Sequence, residues 1–161
     1  MMIKVGDKVP SVNFKKLTSD GLIDVLTDEY FKDRKVALFS VPGAFTPTCS
    51  AQHLPGFIGN ADALKAKGIA AIACVSVNDA FVMQAWGESA SAGDAVEMLA
   101  DGNGEFARAT GLTLDGSGFG LGERSTRYSM LVDDGTISAL NVESNPGELD
   151  VSSAEHLLEQ L

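Results

Sequence analysis

The sequence predicts an α/β fold: a sheet with helices packed on both faces. Three observations predict it. Ile69 to Val77 is a continuous apolar run, as in a central strand covered on both sides. Strand-like and helix-like segments alternate through the first two thirds of the chain. Tyr128 to Val132 and Thr136 to Val142 then form two apolar runs across Asp134-Gly135, a hairpin signal, followed by a last helix.

In order, Val12 to Leu17 and Ile23 to Leu26 read as short strands around the turn Ser19-Asp20-Gly21. Thr27 to Asp33 is a helical turn, and Lys35 to Val41 a buried strand. Pro47 to Lys67 is helical: Thr46 suits the cap, Pro47 the first helical position, and Gly68 the stop. Pro55-Gly56 is expected to kink or break it. Asn78 is expected to cap a helix running to about Ser89. Val96 to Leu99 is a short strand, and Glu105 to Thr110 a short helix ended by Gly111. The glycine-rich stretch Leu112 to Gly122 is expected to be a loop. Ser152 or Ser153 caps a final helix to Leu161.

At 161 residues the chain suits one domain, 1–161, with a sizeable core. No repeat, low-complexity tract or linker divides it. A net charge of −10 repels nucleic acid and anionic lipid, so neither is expected as a partner. No segment is long and apolar enough to span a membrane, and the N-terminus has no apolar signal core. Two cysteines make no disulfide framework, so a reducing, cytoplasmic location is expected. The cysteines and the two histidines lack zinc-motif spacing, so no metal is expected. Gly116-Ser117-Gly118-Phe119-Gly120-Leu121-Gly122 does not match a dinucleotide fingerprint, and no nucleotide or other cofactor is expected. The absence of a C-x-x-C pair argues against a dithiol oxidoreductase.

The chemistry concentrates on Cys49. It closes the run Val41-Pro42-Gly43-Ala44-Phe45-Thr46-Pro47-Thr48-Cys49, just beyond a strand and in the first turn of a helix. Free backbone N–H groups and the positive end of the helix dipole favour a thiolate there. Thiolate is the nucleophilic form of cysteine. Cys74, inside the apolar run, reads as an inert strand cysteine; its alternative role is a resolving thiol. His53, four residues after Cys49, reads as structural or interfacial, with a Cys–His nucleophile pair as the alternative. Thr46 by itself is an ordinary cap, Pro42 a strand terminator, and Arg127 a solvent-facing arginine.

Pro42, Thr46 and Cys49 stand as P-x-x-x-T-x-x-C, which resembles the active-site signature of peroxiredoxins. The longer Pro-Gly-Ala-Phe-Thr-Pro-Thr-Cys-Ser, followed by His53-Leu54-Pro55-Gly56-Phe57, is similar to the type-II or type-5 subfamily. Val77 to Met83, Arg124-Ser125-Thr126-Arg127-Tyr128-Ser129-Met130, Asp134-Gly135 and Ala139 to Glu143 extend the likeness over almost the whole chain.

The resemblance implies a thioredoxin-like fold with a central mixed sheet flanked by helices. It also implies a thiol peroxidase that reduces hydrogen peroxide and alkyl hydroperoxides. Cys49 is then the peroxidatic residue. Thr46 holds peroxide and sulfur together, Pro42 shields the site, and Arg127 lies beside the thiolate, with Arg124 a second candidate. Animal members carry a resolving cysteine near the C-terminus; Val151 and its neighbours offer none. Glutathione with glutaredoxin, or thioredoxin, is the implied reductant, and a homodimer the implied assembly. Two other classes stay open from the residues: a redox sensor that passes oxidation to a partner, and a Cys–His acyl hydrolase.

Overall fold

A computed structural model of the protein describes residues 2–161. Strands β1 (Asn13–Thr18) and β2 (Gly21–Leu26) form the first hairpin, and α1 (Thr27–Tyr30) is a single turn. Strand β3 (Lys35–Ser40) leads to the Cys49 loop. Beyond it come a π-helical segment (Cys49–His53), α2 (Leu54–Gly59), α3 (Ala61–Ala66) and β4 (Ala71–Ser76). Helix α4 (Ala80–Ser89), β5 (Glu97–Ala100) and α5 (Glu105–Thr110) follow. Strands β6 (Thr113–Asp115) and β7 (Glu123–Ser125) flank a short 3₁₀ turn. The chain ends with β8 (Tyr128–Asp133), β9 (Thr136–Val142) and α6 (Ala154–Glu159).

Seven strands form one sheet in the order β2-β1-β5-β4-β3-β8-β9, and β6 pairs with β7 separately. The β3–β4 and β4–β5 pairings are parallel and the others antiparallel, so the central sheet is mixed. Alternation along the strands divides the core. Phe39, Ile72 and Cys74 face the side covered by α2, α3, α4 and α6, where Leu54, Phe57, Leu64, Met83, Trp86 and Leu157 pack. Val36, Leu38, Ala73 and Val75 face the other side, against Phe31 and Phe106. Strand β4 is buried along its whole length, as an apolar run with helices on both faces requires.

Three expectations are corrected. Pro55-Gly56 does not break the helix after Cys49. Pro55 sits in the first turn of α2, where its missing N–H is tolerated, and the break falls at Asn60. The irregularity lies upstream, where the Leu54 N–H reaches back to the Cys49 carbonyl in a π turn. The cap of α4 is Asp79, whose carboxylate accepts from the Val82 N–H, and not Asn78. Leu112 to Gly122 is only partly loop, because Thr113–Asp115 pairs with Glu123–Ser125 in register. The Asp134-Gly135 hairpin, the Gly111 stop in a left-handed conformation and the Ser153 cap stand as read. Among the described residues, no helix is long and apolar enough to cross a membrane.

Candidate active site

Cys49 lies fully buried at the mouth of the β3–helix connection. Its loop is built by short-range geometry. Thr46 N–H bonds to the Gly43 carbonyl at 3.4 Å, and Ser50 N–H to the Thr46 carbonyl at 2.9 Å. Between them Phe45 adopts a left-handed φ of 64°, costly for a residue with a side chain, and its ring is 55% exposed. Asn78 holds this loop down: its Oδ1 accepts from the Ala44 N–H at 3.0 Å and from Ser76 Oγ at 2.6 Å. Trp86 Nε1 donates to Ser50 Oγ at 3.1 Å and pins the next residue after the cysteine. Gly43 leaves little room for a side chain here. A Cβ would stand 3.1 Å from Arg124 Nη1 and 3.2 Å from Thr46 Cγ2.

Two groups meet the Cys49 sulfur. Thr46 Oγ1 lies 2.9 Å from Sγ and 2.7 Å from the Gly43 carbonyl oxygen, so its single proton is shared between two acceptors. Arg127 Nη2 donates to Sγ at 3.0 Å. Arg127 opens the segment before β8 and is 2% exposed, contrary to the ordinary expectation of a solvent-facing arginine. Its Nε donates to the Pro146 carbonyl at 2.8 Å, and its Nη1 faces His53 Nδ1 at 2.8 Å. Among the described residues, no carboxylate pairs with Arg127. A buried cation is costly without compensating charge. Among the described residues, the Cys49 sulfur is the one hydrogen-bond partner of Arg127 able to carry it.

His53 completes the support of Arg127. It is fully buried in the π turn, with Nε2 at 2.9 Å from the Ser152 carbonyl. A carbonyl only accepts, so the proton sits on Nε2 and Nδ1 is free to accept from Arg127. Burial, and next the Arg127 charge, push its pKa down from 6.5 to about 3. His53 is therefore neutral, structural, and bonded to Arg127 instead of Cys49. That removes the Cys–His dyad an acyl hydrolase would need.

A pH dependence follows from His53. Folded His53 takes up its proton only near pH 3, whereas an unfolded histidine does so near 6.5. Between those values the unfolded chain binds more protons, so stability falls as the pH drops. It is full above pH 6.5, and each pH unit inside the window removes up to about 1.4 kcal/mol. Urea unfolding at pH 7 and pH 4.5 should show a larger loss for the wild type than for His53→Gln; equal losses would overturn the assignment.

The other candidates are placed as follows. Pro42 is buried at the end of β3 and makes no hydrogen bond to the sulfur. Arg124 is half-buried and does not reach Cys49; its Nε donates to the Leu121 carbonyl at 2.9 Å, and its Nη1 lies 3.5 Å from the Pro42 carbonyl. Cys74 belongs to the same apolar cluster as Cys49, and both thiols are free. Burial pushes the Cys74 thiol well above its ordinary range, with the nearby Cys49 adding to the rise. Sequence reading missed Asn78 as a loop pin and the segment after β9 as the holder of Arg127 and His53. The Ala139–Glu143 block was the available signal for the latter.

Chemically, the arrangement sets one buried sulfur against a hydroxyl and a guanidinium. Among the described residues, no three His, Cys, Asp or Glu side chains gather as metal ligands.

Comparison with known proteins agrees with this chemistry. The family model described as Redoxin matches residues 4–158. Peroxiredoxin-2E-2, chloroplastic, of Oryza sativa subsp. japonica is 53% identical over 99% of this chain and 72% of its own length. Peroxiredoxin-2D of Arabidopsis thaliana is 49% identical, over 99% of this chain and 98% of its own. A solved structure of reduced Prx3 from Vibrio vulnificus in complex with H₂O₂ superposes with a TM-score of 0.94. It is 51% identical, covering 99% of both chains. With a buried cysteine at a helix start, a thioredoxin-like mixed sheet and these relatives together, the chain belongs to the redoxin family, as a peroxiredoxin of the type-II/type-5 kind.

Proposed function

We propose that the chain works as a single peroxidase domain, 1–161, in which Cys49 reduces hydrogen peroxide and alkyl hydroperoxides at the expense of an external thiol. Thiol-dependent peroxidase activity is the coarse property that comes with the family. The observation that carries the finer reading is the Cys49 sulfur set between Thr46 Oγ1 at 2.9 Å and Arg127 Nη2 at 3.0 Å.

The Cys49 thiolate attacks the terminal peroxide oxygen, the O–O bond breaks, and water or an alcohol leaves. Cys49 becomes a sulfenic acid. A thiol then displaces water from it to give a mixed disulfide, and a second thiol restores the cysteine. Ionisation alone gives a modest gain, since an ordinary cysteine of pKa about 8.5 is already a few per cent thiolate at neutral pH. The larger share falls to Thr46 and Arg127, which hold the peroxide in line and stabilise the departing oxygen. Pro42 shields the site from water.

The cycle uses one cysteine. Cys74 lies in a fully buried central strand, and its thiol is held protonated by burial. Bringing it onto Cys49 would break packed contacts and ladder bonds. Glutathione with glutaredoxin is the favoured reductant and thioredoxin the runner-up; a reducing compartment such as the cytoplasm fits two free thiols. Oxidation with one equivalent of peroxide, followed by mass spectrometry before and after glutathione, tests this. One added oxygen that gives way to a glutathione adduct is expected. Rapid, quantitative formation of a Cys49–Cys74 disulfide would overturn the one-cysteine cycle.

The working assembly in this reading is a homodimer with aromatic residues near the active-site loops at the contact. Phe45 in the Cys49 loop is 55% exposed, and Phe81 in the first turn of α4 61%. A solution mass at micromolar concentration should be that of a dimer; a monomer there would refute it.

A further inference from the structure

One buried carboxylate has no part in the peroxide chemistry as described so far. Glu143 follows directly after β9 and is 7% exposed. A single oxygen, Oε2, accepts three hydrogen bonds: from the Asp150 N–H at 2.8 Å, the Ser152 N–H at 2.8 Å and Ser152 Oγ at 2.6 Å. Its own N–H donates to the Arg127 carbonyl at 3.0 Å. Burial alone would raise its pKa. The bonds from Ser152, Asp150 and the Val151 backbone together outweigh burial and hold the carboxyl below the usual range.

These bonds fold the segment from Glu143 to Ser153 back over the active site as a strap. Its backbone oxygens then do the holding. The Pro146 carbonyl accepts from Arg127 Nε at 2.8 Å, and the Ser152 carbonyl from His53 Nε2 at 2.9 Å. The Gly147 carbonyl accepts from Thr48 Oγ1, beside Cys49, at 2.8 Å. Every lateral support of the guanidinium thus comes from this strap or from a histidine the strap itself fixes. The turn at Asn145, whose Oδ1 accepts from Gly147 N–H at 3.0 Å, shapes the loop but does not tie it to the body of the protein. Glu143 does.

We infer that Glu143 is a positioning residue for the peroxidase reaction. Its carboxylate clamps the 143–153 strap, so that Arg127 Nη2 stays aimed at the Cys49 sulfur. The residue touches neither sulfur nor peroxide and acts through Pro146, Ser152 and His53. A carboxylate suits the task because one charged oxygen can accept three converging donors strongly, whereas an amide oxygen is a weaker acceptor. This inference rests on the reading that Arg127 stabilises the peroxide reaction.

The test is a double-mutant cycle on the rate constant for Cys49 oxidation by hydrogen peroxide, with thermal unfolding followed in parallel. Glu143→Gln is expected to slow oxidation by about fivefold or more in the wild-type background, and by less than about twofold when Arg127 is already glutamine. A clamp that served folding alone would lower the unfolding temperature and reduce both backgrounds equally; that result overturns the inference. Should Glu143→Gln fold poorly, Ser152→Ala removes only the Oγ donor and should show the same background dependence at smaller size. Wild-type speed in Arg127→Gln alone would overturn the role of Arg127 and this inference with it. A slow Arg127→Gln with equal Glu143→Gln losses in both backgrounds would overturn only the inference.

Discussion

Replacing Cys49 by serine should reduce peroxide turnover to the uncatalysed background, whereas Cys74→Ala should leave the first oxidation step near the wild-type rate. The asymmetry comes from where the two sulfurs sit. Cys49 opens a helix with a guanidinium and a hydroxyl in contact, and serine there keeps the shape but not the chemistry. A serine hydroxyl stays protonated at neutral pH and cannot form a sulfenic acid. Cys74 is packed between Phe39 of β3 and Met98 of β5, with its thiol held protonated by burial. Alanine is the better probe at Cys74, because a buried hydroxyl without a partner costs about 1–3 kcal/mol and would confuse stability with chemistry. Stopped-flow peroxide consumption with an added thiol reads both variants. Activity that survives in Cys49→Ser and fails in Cys74→Ala would reverse the assignment.

Thr46→Val and Arg127→Gln should each slow Cys49 oxidation by more than about tenfold, a loss above about 1.4 kcal/mol in the transition state. Valine keeps the volume of Thr46 and removes the one hydroxyl that touches both the sulfur and the Gly43 carbonyl. Glutamine at 127 keeps a hydrogen-bonding head and removes a buried cation that has no carboxylate partner among the described residues. Loss of such a charge need not lower fold stability, since an imperfectly compensated buried ion is itself unfavourable. Slow oxidation with an unchanged unfolding temperature is therefore the expected signature. A wild-type rate in either variant would remove that residue from the mechanism.

The sequence made local features readable and left distant ones hidden. Cys49 could be placed in a first helical turn because Thr46 and Pro47 precede it, and the Asp134-Gly135 hairpin because two residues decide such a turn. The continuous run at Ile69–Val77 announced the central strand by composition alone. By contrast, Asn78 looked like a helix cap, since cap and loop pin require the same short polar side chain; only the fold reveals that its oxygen faces Ala44. The π turn at Cys49–His53 has no sequence pattern that separates it from an α-helix. Without a family resemblance, Arg127 reads as a surface residue, because its partners lie 19, 74 and 78 positions away. The short β6–β7 pair was masked by the glycines between its strands.

The buried Arg127 guanidinium ties the charge balance around Cys49 to the oxidation state of one atom. With Cys49 as a thiolate, positive and negative charge cancel inside the protein. Once the sulfur carries a neutral sulfenic acid, Arg127 stays buried with no opposing charge among the described residues, and desolvation makes that costly. The oxidised state is then electrostatically incomplete. Return of Cys49 to the thiolate restores that balance, so the buried guanidinium itself favours the reset of the cycle.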